Sequence, residues 1–283
     1  IRQLAVLLRH HHPARSRLLH CRGFYRDAIE LSYGFIFDFP FAQSTPPVSL
    51  YASISERTAR YNLKTPKPVL DQCYLLASIL SDALFQFHTV GWVHKSLRSE
   101  NVIFFPRGDG EAEAIDWGGP WLVGFEYARE DPGFSETPGM PGLATNLYRH
   151  PDQWGQPTRR FRKSHDIYSL GVILPEIGLW MPVSKLKSDE RFFQHSKRYE
   201  TKEYFIKTAK ESLPFRVGMA YTEIVIKCLS GQVDKEPFVD DSGSNNTEMG
   251  PEDYQVQISR ALRSLCQISG TKGFSGSGPR WLE

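Results

Sequence analysis

Short β-type runs and longer apolar stretches of helical spacing are unevenly divided along the chain. Residues 1–9 place Leu4, Leu7 and Leu8 on one helical stripe. After a His-rich turn, residues 18–25 and 31–39 read as strands closed by Pro40, which has no N–H to offer a ladder. A helix leading into a hairpin is expected there. A polar Ser/Thr/Pro stretch at 43–48 precedes residues 70–87, where Leu75, Leu76, Ile79, Leu80 and Leu84 mark the apolar face of a long helix. Residues 101–105 and 121–125 form a second expected hairpin around a Gly-rich insert. Residues 131–146, rich in Pro, Gly, Ser and Thr and without a period, are read as a mobile segment before a buried helix at 166–179. Amphipathic helices are expected at 220–229 and 254–268. Between them, about 231–253, lies an acidic polar stretch too poor in apolar surface to order itself, read as a flexible loop, and 270–283 is a loose tail. The order, a small mixed β part followed by a mostly helical part, predicts an α+β fold.

Composition narrows the function classes. With 283 residues, 40% hydrophobic and 13% aromatic, the chain can bury a sizeable core. Lys plus Arg number 34 against 32 Asp plus Glu, and a net charge of +2 creates no strong field toward nucleic acid or a membrane surface. The 4 cysteines, Cys21, Cys73, Cys228 and Cys266, form no CxxC pair and read as buried thiols of a cytoplasmic protein. No apolar run reaches the roughly 20 residues a membrane helix needs. The chain starts at Ile1, already inside a helical pattern, and is read as lacking an N-terminal part.

Three motifs, in order, carry a resemblance. His94-Lys95-Ser96-Leu97-Arg98-Ser99-Glu100-Asn101 follows the long helix and opens a strand, in the place and spacing of the protein-kinase catalytic loop H-R-D-L-x-x-x-N. Residues 145–152, TNLYRHPD, resemble the end of an activation segment, and residues 164–172, SHDIYSLGV, resemble the buried helix after it. The wording VHKSLRSENVIFF, PWLVGFEYAR, NLYRHPDQWG and HDIYSLGVILPEIGLW is most similar to the kinase-like domains of fungal prion-inhibition proteins, which often sit behind a HeLo-type helical domain. The resemblance implies that residues 1–40 are the remainder of a kinase N-lobe with helix C, two strands and the hinge, and that 41–269 are the C-lobe. It also implies a nucleotide cleft at Phe37, Asp38, Phe39 and Asn101, and structural roles for Asp152 and Asp166.

Measured against phosphoryl transfer, the carried-over positions are degenerate. The reaction needs metal ions held by an Asp and an Asn, and a carboxylate to receive the proton of the attacking hydroxyl. Ser96 stands at the carboxylate position and is neutral near pH 7. His94 packs the loop, Arg98 keeps a cation for the transferred phosphate, and Asn101 keeps one metal ligand. Aligning Gly124-Phe125-Glu126 with D-F-G removes the metal-binding Asp, whereas a rival alignment on Asp116-Trp117-Gly118 restores it. Only the Gly124 alignment has a hydrophobic strand, WLVGF, running into the motif, which favours the first alignment. Gln3 occupies the usual position of the helix C Glu. Asp166 is expected to accept backbone N–H groups of the catalytic loop from the buried helix, or simply to cap that helix.

Plainer readings hold elsewhere. Ser135, Thr137 and Thr145 are candidate phosphorylation sites facing Arg129 or Arg149, though exposed loop hydroxyls are mostly solvated turn residues. The basic run 159–163 reads as a solvated loop and not as a nucleic-acid contact, and His10, His11 and His12 lack the spaced fourth ligand of a zinc site, so no metal is expected. The expectation is a non-catalytic signalling or scaffold module whose partners are proteins or a HeLo-type domain of the same chain, in fungal incompatibility or regulated cell death. An ATP/Mg-binding atypical Ser/Thr kinase and a truncated, non-functional kinase-domain fragment are the alternatives.

Overall fold

The computed structural model describes residues 1–10, 16–27, 29, 32–40, 45–55, 66–107, 114–130, 142–157, 159–186, 198–231 and 251–269. It is an α+β fold of small antiparallel sheets and long helices. Helix α1 (Arg2–Arg9) buries Leu4, Ala5 and Leu8 against strand β1 (Cys21–Asp27), which pairs antiparallel with β2 (Ser32–Phe37). The expected hairpin thus forms, with a register irregularity between Cys21 and Gly23.

A second sheet orders β3 (Val48–Ser49), β5 (Val102–Phe104) and β6 (Trp121–Leu122) side by side. Strand β3 arises from the end of the polar stretch and leads into helix α2 (Leu50–Ile54), where the Ser49 hydroxyl accepts the N–H of Ala52. A third pairing joins β4 (Trp92–Val93) to β7 (Arg129–Glu130), bringing the residues before His94 beside those after Glu126. Asn101 lies in a 3-10 turn, and Phe125 lies beyond β6, so the second hairpin is shorter than its apolar runs suggest.

Four long helices pack together among the described residues. Helix α3 (Leu70–Thr89) is buried on more than one face, with Cys73, Leu76, Leu80, Leu84 and Phe87 all enclosed. Helix α5 (Lys163–Leu179) is buried along nearly its whole length and packs on α3 and on α7 (Pro214–Ser230). Its approach to α7 is close because residue 171 is Gly: a Cβ there would lie 2.7 Å from the Cβ of Cys228. Helix α8 (Pro251–Ile268) lies along α3 and is tied to it by the Arg263–Asp82 ion pair at 2.6 Å.

Helix α6 (Arg198–Ser212) falls where no helix was expected, packing Thr201, Phe205 and Ala209 inward against α7. Helix α4 (Leu143–Asn146) ends the segment read as aperiodic. The remainder of that segment, 131–141, lies outside the described residues, as do 232–250 of the expected flexible loop and the tail from 270; α8 begins at Pro251, inside the span assigned to that loop. All four cysteines are buried and free, and burial pushes the thiols of Cys73 and Cys228 up to about 11 and about 12.

Candidate functional site

The loop from β4 to the 3-10 turn at Ser99–Asn101 is anchored from below by one carboxylate. Asp166, in the first turn of α5 and completely buried, accepts the N–H of His94 at 2.7 Å and of Lys95 at 2.9 Å. The third contact is His88 Nε2 at 3.0 Å, and Nδ1 of the same ring lies 2.8 Å from Gln255 Oε1 in α8. Burial alone raises the Asp166 carboxyl, but the His88 contact and the loop amide outweigh it, and its pKa lies below the ordinary carboxylate value. Lys95 sits at φ 65°, a left-handed conformation that costs a non-Gly residue on the order of 1–3 kcal/mol and that the Asp166 bond helps hold.

Above this anchor, the loop meets the segment after β6. The buried His94 ring packs on Phe125 with centroids 4.9 Å apart and on Phe87 at 6.0 Å, and burial lowers its pKa. Asn101 Nδ2 donates to the carbonyl of Ser96 at 2.7 Å and lies 3.2 Å from the Ser96 hydroxyl. That hydroxyl donates to Glu126 Oε1 at 3.4 Å. The backbone carbonyl of Asn101 accepts the N–H of Val123 at 3.0 Å, which locks the two segments together. Gly124 adopts φ 82°, and a Cβ built on it would overlap the Asn101 side-chain amide. His94, Ser96, Asn101, Gly124, Phe125 and Glu126 therefore form one continuous site.

Other residues singled out by sequence lie elsewhere. Asp116 sits in a solvent-exposed turn of the insert, where its carboxylate accepts the N–H of Gly118 at 2.9 Å and faces Arg107 at 4.0 Å. Its neighbour Trp117 turns inward onto Phe104 and Trp180. Arg98 reaches out of the loop to the Thr145 hydroxyl at 3.1 Å. Asp38 is exposed at the end of the first hairpin, bonded to His20 at 2.9 Å and Arg22 at 2.5 Å, with the His20 contact the main cause of its lowered pKa. Phe37 is partly buried, whereas Phe39 is largely exposed and packs its ring on Phe105 at 5.6 Å. Ser135, Thr137, His11 and His12 fall outside the described residues.

Three buried clusters had no recognisable signal, because each joins residues far apart in sequence. In the first, Tyr148 OH lies 2.7 Å from both Ser99 Oγ and Glu176 Oε1, and Glu176 Oε1 also accepts the N–H of Val183 at 2.7 Å. Burial pushes Glu176 up to about 8. In the second, Lys95, Arg129 and Arg149 are all buried, and burial, then the two guanidinium groups, lowers Lys95 to about 8. In the third, His150, Asp152 and His165 meet at the base of α5. Asp152, expected only to be structural, accepts the Tyr199 hydroxyl at 2.7 Å.

Compared with known families and with curated proteins, the chain matches no family model and no curated sequence. Among the described residues, no helix is long and apolar enough to cross a membrane.

Proposed function

We propose that the chain is a non-catalytic protein-kinase-like module that works through protein contacts, of the kind that accompanies HeLo-type domains in fungal incompatibility and regulated cell death. The observation that carries this reading is the packing of Asn101 into the space beside Gly124. Phosphoryl transfer requires an Asp and an Asn to share a metal ion, with a second carboxylate receiving the hydroxyl proton. Here no side chain fits at residue 124 without displacing Asn101, the Asn101 amide is turned onto Ser96, and Ser96 offers a hydroxyl that itself donates to Glu126. The support for taking Gly124 as the metal position is its contact with Asn101, together with the stacking of its neighbour Phe125 on His94. Asp116 shares no described bond with Ser96, Asn101 or Glu126.

A second reading, an atypical ATP-binding kinase, is favoured by one feature: Glu126 brings a carboxylate to the Ser96 hydroxyl. Thermal-shift titration with ATP, with and without magnesium, separates the two, since a ligand that binds the folded state raises its apparent stability. The non-catalytic module gives no magnesium-dependent shift. A magnesium-dependent shift lost in Glu126→Gln supports the second reading.

A further inference from the structure

Away from the loop site, we propose that His150, Asp152 and His165 form a binding site for a late first-row divalent cation such as zinc. The three are buried, and each offers a donor atom within 4.8 Å of the other two. His150 Nδ1 already stands 3.5 Å from Asp152 Oδ2, close to the spacing of neighbouring ligands around a tetrahedral ion with bonds of about 2.0–2.2 Å. The two imidazoles stack at 5.1 Å with planes 30° apart, so the rings must rotate for their nitrogens to converge on one ion. Two imidazoles and one carboxylate select zinc, cobalt or nickel over magnesium or calcium, which prefer all-oxygen shells. A fourth position remains for water.

Supporting contacts hold the set in place. The Tyr199 hydroxyl of α6 donates to the other oxygen of Asp152, and the rings of Phe161 and Tyr168 enclose the imidazoles. The bound ion would tie together the Pro151–Gln153 turn, the start of α5 and helix α6. Three features oppose it. His150 Nδ1 itself accepts the Asp152 N–H at 3.3 Å, a bond that coordination through that atom gives up. His165 Nδ1 accepts the Arg162 N–H at 3.0 Å, so binding through Nε2 moves the ring proton to Nδ1 and sacrifices that bond. The Lys202 ammonium lies 3.5 Å from His150 Nε2, and Arg159 lies 3.9 Å from Asp152, although Arg159 is well exposed and screened. The Lys202 charge therefore sets the affinity, and removing it strengthens binding.

Cobalt(II) is the probe: titrate it into the metal-stripped 283-residue chain and follow its visible d–d bands. The site predicts one equivalent with four-coordinate bands, at least about tenfold weaker binding in both His150→Gln and His165→Gln, and tighter binding in Lys202→Met. Unfolding curves for each variant without metal check that the chain still folds. The proposal is overturned if folded wild type shows no such bands. It is equally overturned if the bands persist in both glutamine variants, or disappear when His10, His11 and His12 are replaced.

Discussion

The side-chain amide of Asn101 fills the space that any side chain at residue 124 would need. One residue type thereby decides two properties of the loop site: Gly124 tolerates φ 82°, and its missing Cβ lets Asn101 turn onto Ser96.

Introducing the carboxylate that phosphoryl transfer would require therefore damages the fold before it creates a ligand. Gly124→Asp is expected to cost about 2–3 kcal/mol, from the left-handed backbone and the overlap with Asn101. Urea unfolding of Gly124→Asp, Asn101→Ala and the double variant measures this. The double variant should lose less than the sum of the singles, because removing the Asn101 amide frees the space.

Ser96→Asp is expected to leave phosphotransfer absent. A carboxylate at residue 96 would face Glu126, which now receives the Ser96 hydroxyl at 3.4 Å, and like charges at that distance repel. A phosphotransfer assay of Ser96→Asp and of Ser96→Asp with Glu126→Gln checks it. Neither variant has a metal ligand at residue 124, so neither should transfer.

Asp166 holds the loop by accepting the N–H groups of His94 and Lys95. Asp166→Asn leaves one oxygen for what are now bonds to two backbone N–H groups and His88, and turns a donor toward them. Loss of a buried, fully engaged carboxylate should cost about 3–5 kcal/mol in denaturant unfolding. The strained conformation at Lys95 should relax with it, seen as faster amide exchange at residues 94–96.

Glu176 makes stability fall with rising pH. Its folded-state pKa, about 8, lies above the ordinary glutamate value of 4.5, so the folded state holds a proton that the unfolded state releases. That contribution is complete below about 4.5 and is lost as pH rises toward 8. Glu176→Gln should flatten the slope of unfolding free energy against pH across this window while keeping an acceptor for Tyr148 and Val183. A slope unchanged in Glu176→Gln contradicts the assignment.

Much of the architecture was legible because its signals are local. The apolar stripe of α1, the runs that became β1 and β2, and the long apolar stretches of α3 and α5 each announce themselves within a window of a few turns. Helix α6 did not, since the residues it buries are Thr201, Phe205 and Ala209, one polar and one small, amid charged neighbours. The two-residue strands β3, β4 and β7 are too short for any period and exist because of their partners. Within the loop site, the residue types at 94, 96, 101 and 124–126 could be named from sequence. The turn of Asn101 onto Ser96 could not, because it depends on a positive φ and an empty Cβ position in a separate segment. The groupings of Glu176 with Tyr148, and of His150 with His165, arise only when α5 packs beneath the segment before it.

The most direct test of the central claim is a phosphotransfer assay on the purified 283-residue chain with labelled ATP, magnesium and a generic protein substrate, run beside Asp116→Ala. A non-catalytic module gives no transfer in either protein. Magnesium-dependent transfer by the wild type that Asp116→Ala abolishes would contradict it, placing the metal ligand at Asp116 and not at the position Gly124 leaves bare.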